Sequence, residues 1–223
     1  MIALKVPEAV VVKNRDRVTG ARVAIEQHGC DTLILDDGFQ YVRLERDENI
    51  LLIDATNPFG NGHLIPRGFL REPLRAMARA TAVILTHCDQ AADLSPVLAQ
   101  VKALAPHAPI RRTRHAPVGF CRLHDGQPLP CTAVAGKRVR AVCGIGHPES
   151  MFKTLEDLGA VVTEQVAVPD HGTIPIEALN VSQDGADIVV TTEKDAVRIQ
   201  GSGLPPESAS EIWVLAIELK DLE

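Results

Sequence analysis

Aromatic side chains make up only 3% of the 223 residues, too few for the stacking platforms on which proteins hold single-stranded nucleic acid. Positive charge is in deficit too. With 23 Lys and Arg against 29 Asp and Glu the formal net charge is −6, which argues against a nucleic-acid partner. No apolar run approaches bilayer-spanning length, although peripheral contact with a membrane surface stays open. The five cysteines (Cys30, Cys88, Cys121, Cys131, Cys143) are odd in number and form no C-x-x-C pair. No secretory leader pattern opens the sequence as given, so a reducing cytoplasm is expected. The eight histidines include no H-x₃₋₅-H pair and no nearby cysteine pair to suggest zinc. Two catalytic motifs are missing as well: there is no G-x-S-x-G elbow and no G-x-x-x-x-G-K-[ST] phosphate loop.

What is present is an α/β pattern. The chain is long enough for one large or two small domains. Ala9–Val12 reads as a short strand, and Asp16–His28 as a helix with Val18, Ala21, Ala24 and Ile25 on one face and Gly29 as its stop. Asp31–Asp36 reads as a buried strand, because parallel sheets covered on both faces take continuous apolar runs. Asn49–Asp54 and Ala82–Leu85 are further strands, and Ser95-Pro96 opens a helix to Leu104 with serine as its cap. Prolines punctuate residues 106–136, marking an interdomain connection with short strands around Val118–Leu123. A second alternating unit follows: strand Val139–Cys143, helix Glu149–Leu158, strand Val161–Val168, helix Ile176–Val181, strand Ile188–Thr192 and a closing strand Ile212–Ile217. The expected domains are residues 1–108, a β-linker at 109–136, a smaller α/β domain at 137–205 and a returning strand at 206–223.

The chemistry concentrates in a few stretches. Asp36-Asp37-Gly38-Phe39-Gln40 places two carboxylates at an expected strand end, where open α/β sheets bind ligands. Two acids there suit a Mg²⁺ anchor in phosphoryl transfer, or simply a turn, where Asp and Gly are common. The loop from Asn57 to Phe69 is rich in Gly and Pro yet carries apolar residues, a composition that points to function rather than disorder. Arg67, Arg71, Arg75 and Arg79 recur every four residues. On a helix starting near Leu70, the last three share a face that meets an anionic membrane, a phosphorylated substrate or only solvent. Pro169-Asp170-His171-Gly172 puts a histidine in a turn past a strand, and Thr192-Glu193-Lys194-Asp195 ends another strand. Each has a functional and a purely structural reading. Gly144-Ile-Gly146 falls short of a dinucleotide fingerprint, because Glu149 stands where its third glycine belongs.

Taken in order, Leu35-Asp36-Asp37-Gly38-Phe39-Gln40, Phe59-Gly60-Asn61-Gly62, Leu64-Ile65-Pro66, Leu70-Arg71-Glu72-Pro73, Pro169-Asp170-His171 and Thr192-Glu193-Lys194-Asp195 resemble the tetraacyldisaccharide 4′-kinase family over nearly the whole chain. The resemblance implies a P-loop NTPase-like parallel sheet sandwich plus a smaller α/β domain joined by a two-stranded β-linker. It implies ATP and Mg²⁺ as cofactors. The substrate it implies is a glycolipid, tetraacylated glucosamine disaccharide 1-phosphate, phosphorylated on its 4′-hydroxyl in lipid A biosynthesis. The enzyme would sit peripherally on the cytoplasmic side of the bacterial inner membrane. By the same resemblance Asp36 and Glu72 are metal ligands, and His171, Asp37 and Arg71 are catalytic. Gly38 and Gln40 lie at the cofactor, and Asn61, Arg67 and Arg75 at the substrate.

The departures shape the expectation. The family's phosphate loop, its D-E-P motif with the catalytic aspartate and its membrane-docking helix are all absent from this sequence. Tyr41, Phe69 and Gly172 stand where His, Pro and His are common. The chain therefore reads as the C-terminal three-quarters of such a kinase, with little or no turnover by itself, because phosphoryl transfer depends on positioning and electrostatic stabilisation of the phosphates. The competing readings are a non-catalytic lipid- or partner-binding remnant of the scaffold, and a different P-loop transferase acting on another glycolipid or sugar.

Overall fold

The structure is a computed structural model that describes residues 2–170, 172–181, 185–201 and 211–222, without the side chain of Leu4. The chain forms two compact units. One comprises Ile2–His115 and the last residues from Leu219; the other is Ala116–Glu218. Two strands, β3 (Ile110–Arg122) and β8 (Ile212–Asp221), run from one unit into the other.

In the first unit a short α1 (Ile2–Lys5) precedes α2 (Arg17–His28). Asp16 caps α2 by accepting from the Val18 N–H at 3.2 Å, and Gly29 ends it in the left-handed region at φ 67°. A glycine adopts that conformation without a Cβ penalty. Of the expected apolar face only Ala24 is buried, and Ile25 is exposed. Strands β1 (Ile50–Asp54), β2 (Ala82–Thr86) and the start of β3 pair in parallel, with Ile53 opposite Leu85 and Leu85 opposite Arg112. Their core collects Ile53, Val83, Leu85, Met77 and, from α3 (Ser95–Leu104), Val97 and Val101. The cap of α3 differs from expectation: the Asp93 carboxylate accepts the Ser95 N–H at 2.8 Å, and Ser95 is already helical.

Three expected elements of the first unit do not form. Residues 31–36 are irregular, and Ile34 is 94% exposed. Ala9–Val12 is likewise irregular, with Val10 and Val11 exposed. A strand persists only where a ladder satisfies its backbone groups, and β1 pairs only with β2 among the described residues. An apolar run of three residues cannot by itself distinguish strand from loop. The helix expected from Leu70 is a 3-10 helix, Leu74–Arg79. Pro73 has extended backbone at its N-terminus (φ −60°, ψ 147°), and its ring also disfavours helical geometry at Glu72. Arg71 thus lies outside the helix, and the three-arginine helical face does not exist.

The second unit is a parallel sheet in the order β8–β7–β5–β6, built from β5 (Arg138–Cys143), β6 (Val161–Ala167), β7 (Ile188–Thr192) and β8. A two-residue β4 (Pro128–Leu129) pairs antiparallel with β3. Alternation sorts the strand residues onto two faces. Val139, Ala141, Cys143, Val190, Trp213 and Leu215 join Met151, Phe152 and Leu155 of α4 (Pro148–Asp157). Val142, Val189, Ile212 and Val214 join Leu179 and, from α5 (Glu193–Gln200), Ala196 and Ile199. The expected helix at Ile176 is a 3-10 helix ending at Leu179.

Candidate functional site

The acidic stretch is a chain of turns rather than a strand end. Asp36 and Asp37 are exposed, and Asp37 holds a left-handed φ of 50°, uncommon for a residue other than glycine. Arg71 fixes it, with Nη1 donating to both Asp37 oxygens at 2.9 and 2.8 Å. Gly38 is buried, its carbonyl accepts from Arg46 Nη1 at 2.5 Å, and a Cβ there would lie 2.5 Å from Leu35 Cγ. Gln40 is half-buried in the next turn, and Tyr41 beyond it donates its hydroxyl to Asp16 at 2.7 Å.

Arg79 ties this loop to the other acid. Its Nη2 donates to Glu72 Oε2 at 2.5 Å and to the Phe39 carbonyl at 3.2 Å, and its guanidinium lies 4.8 Å from the Phe39 ring centroid. Asp37, Gly38, Arg71 and Glu72 therefore belong to one neighbourhood stitched by Arg46, Arg71 and Arg79. Asp36 makes no ion pair among the described residues.

The glycine-rich loop is internally fastened. Asn61 donates from Nδ2 to the Arg67 carbonyl at 2.9 Å, and its Oδ1 accepts the His63 N–H at 3.2 Å. Arg67 and Arg75 are exposed. Ile65 and Phe69, at 64% and 79% exposure, put apolar surface beside those cations along the chain.

A second polar cluster sits at the C-terminal ends of β1 and β2. Asp54 accepts from the Thr56 N–H at 2.9 Å and hydroxyl at 2.7 Å, and His87 Nδ1 lies 3.2 Å from its Oδ2. Burial raises the Asp54 pKa, but the hydrogen bonds from His87 and Thr56 outweigh it and hold the carboxyl well below the usual range. The other ring nitrogen of His87 is 2.7 Å from His115 Nδ1. Burial and the His87 ring depress the His115 pKa. His87 is buried, with a left-handed φ of 53°.

In the second unit His171 lies outside the described residues. Its neighbour Asp170 pairs with Lys194 Nζ at 2.6 Å. Two cysteines are poorly suited as nucleophiles: burial pushes the Cys88 thiol up, and burial with nearby Asp195 pushes Cys143 up to about 11.

The Tetraacyldisaccharide-1-P 4′-kinase family model matches residues 1–221. The chain belongs to this family. It is 41% identical to the tetraacyldisaccharide 4′-kinase of Anaeromyxobacter dehalogenans (strain 2CP-C) over 206 residues, covering 89% of this chain and 54% of that protein. It is also 41% identical to the one from Syntrophus aciditrophicus (strain SB) over 212 residues, covering 89% and 57%. Among solved structures, the "apo" form of LpxK from Aquifex aeolicus in complex with ATP matches with a TM-score of 0.64 and 27% identity. That match covers 94% of this chain and 59% of the other. The chain thus spans a little over half the length of these relatives. The α/β, P-loop NTPase-like fold class read from the sequence agrees with that likeness.

For a member of the 4′-kinase family, two features escaped the sequence reading. Arg79 registered only as one of four spaced arginines, yet it joins Glu72 to the acidic loop. The Asp54–His87–His115 line had no motif at all, because its members are 28 or more positions apart and meet only across the ladder.

Proposed function

We propose that this chain serves ATP-dependent phosphorylation of the 4′-hydroxyl of tetraacyldisaccharide 1-phosphate in lipid A biosynthesis. The observation that carries the reading is the network in which Arg71 grips Asp37 while Arg79 grips both Glu72 and the Phe39 carbonyl. It unites the two motifs that carry most of the family resemblance. Asp36 with Glu72 and Asp37 offers only carboxylate oxygens, the donor type that Mg²⁺ favours. Bound there, Mg²⁺ would neutralise phosphate charge. Arg71 has the planar fork suited to phosphate oxygens. His171 is assigned, by resemblance, to supporting a catalytic aspartate. ATP follows from the likeness to the Aquifex LpxK.

We place the enzyme peripherally on the cytoplasmic side of the inner membrane, with Ile65 and Phe69 beside Arg67 and Arg75 as the surface facing anionic lipid. No helix among the described residues is long and apolar enough to cross a membrane. The 223 residues hold no Gly-rich phosphate loop, and this chain alone is expected to turn over little or nothing.

The test is a fusion of this chain to the part of the A. dehalogenans kinase outside the matched region, assayed beside the chain alone. The fusion is expected to phosphorylate the disaccharide, and Glu72→Ala to lose that activity while remaining folded, at the modest stability cost of its lost pair with Arg79. Full turnover by Glu72→Ala removes the metal role. A folded, inactive fusion favours the non-catalytic scaffold, whose support is the same missing loop.

A further inference from the structure

Three strands of the first unit bring Asp54, His87 and His115 into line. Asp54 is the last residue of β1 and sits opposite Thr86, the last of β2. His87 follows directly. The Cys88 N–H then donates to the Thr113 carbonyl at 3.0 Å, which sets His115 of β3 alongside. The cluster thus lies at the carboxyl ends of β1 and β2, where open α/β sheets bind ligands. His87 is buried with a left-handed φ of 53°, a costly conformation for a residue with a side chain and one that gathers at ligand clamps.

The hydrogen bonds decide which nitrogen holds which proton. Asp54 Oδ1 accepts from Thr56, and Asp54 Oδ2 lies 3.2 Å from His87 Nδ1. An ionised carboxylate only accepts, so His87 Nδ1 carries a proton and, in the neutral ring, Nε2 presents a lone pair. That lone pair meets His115 Nδ1 at 2.7 Å, with the rings inclined at 67° so that they touch by their edges. One proton, from His115, fills the gap. Two imidazole nitrogens facing each other, with a carboxylate behind one ring, form the carboxylate–histidine–metal arrangement with a proton in the metal's place. Asp54 and Asp89 add negative field at His115. The Cys88 thiol is turned to the Leu85 carbonyl at 3.4 Å, so the donors here are nitrogen rather than sulfur.

We propose that His87 Nε2 and His115 Nδ1 bind one Zn²⁺-class ion, with Asp54 orienting His87 and water completing the coordination. Imidazole suits Zn²⁺, Co²⁺ or Ni²⁺, whereas Mg²⁺ takes oxygen. Zinc–nitrogen bonds of about 2.0–2.1 Å place two tetrahedral nitrogens roughly 3.3 Å apart, so the gap opens by about half an ångström. The half-buried His115 ring is the one with room to move. As the ion seats, the proton leaves His115 Nδ1 and another joins Nε2 from solvent, so a neutral pair binds the ion with no net proton release. The site stands apart from the kinase reading, since none of its members is assigned there to ATP, Mg²⁺ or the disaccharide.

The test titrates the chelator-treated 223-residue chain with Zn²⁺ by calorimetry, in excess Mg²⁺ so that all-oxygen sites are filled. One Zn²⁺ per chain is expected to bind. His87→Gln and His115→Gln are expected to abolish binding and Asp54→Asn to weaken it about 10–100-fold, whereas His107→Gln at an exposed position leaves it unchanged. X-ray absorption of the unsubstituted, zinc-loaded chain reads the ligands directly even where a variant fails to fold, and two imidazoles without sulfur are expected. No one-to-one binding, binding that survives His115→Gln, or zinc held by sulfur each overturns the proposal. The two readings fail separately: an inactive fusion whose chain still binds Zn²⁺ counts against the kinase alone, and an active fusion whose chain binds none counts against this site alone.

Discussion

Arg79 and His115 show how much a single side chain settles here. The Arg79–Glu72 pair is only partly exposed, and Arg79 also satisfies the Phe39 carbonyl. Arg79→Met keeps the apolar stem over the Phe39 ring while leaving Glu72 and that carbonyl unpaired. It is expected to cost about 1–3 kcal/mol in a denaturant melt, with Glu72→Gln in the same background recovering part of the loss. The His115 imidazole is held below its ordinary 6.5 by burial and by the neighbouring His87 ring. As pH falls, the unfolded chain takes up this proton before the folded one does. The associated stability is therefore complete above about pH 6.5 and drains away below it. Melting temperatures at pH 7.5 and 5.5 are expected to differ more in the native chain than in His115→Gln. Asp54, whose carboxyl is depressed by its hydrogen bonds, adds a further loss only at pH below its ordinary 3.8.

At the scale of elements, the strands of the two units differ in cover. In the second unit α4 packs on one face and α5 on the other. In the first, Ile53 and Leu85 face a core while Ile50 and Leu52 of β1 stand 46% and 60% exposed. Parallel sheets are ordinarily covered on both faces, and an apolar edge strand invites self-association. Leu52→Lys is expected to shift size-exclusion profiles toward monomer without lowering the melting temperature; unchanged aggregation would show that this strand is not the sticky element. The same contrast explains what the sequence made legible. Strands Ile50–Asp54, Ala82–Thr86, Arg138–Cys143 and Ile188–Thr192 were readable because short, mostly apolar stretches sit where ladders form. Leu33–Leu35 was not, because its fate depends on a pairing partner that no local pattern encodes. The Arg71–Asp37 and Arg79–Glu72 ties were half legible: the residues stood out, but their partners lie up to 34 positions away.

For the whole molecule, the unit boundary falls within strands rather than between them. The first unit contains the chain's end: Arg111 holds Asp221 through a two-point ion pair at 3.1 and 2.8 Å, and the Leu222 N–H donates to the Arg112 carbonyl at 2.8 Å. An exposed ion pair of this kind contributes little by itself, whereas the pairing of the terminal strand contributes backbone bonds. Asp221→Ala is expected to change the melting temperature slightly, and deletion of residues 219–223 to lower it clearly, read by circular dichroism.

That last contact has a consequence for how the protein is made. Synthesis proceeds from the N-terminus, so residues 2–115 emerge early and must wait, unfastened, while everything after them is translated. Leu222 can reach Arg112 only after the residues between them have been made. Until then the Arg111 and Arg112 contacts with Asp221 and Leu222 are unmade. The first unit is thus divided in time as well as in sequence, its last segment added only after the whole of the second unit has been made.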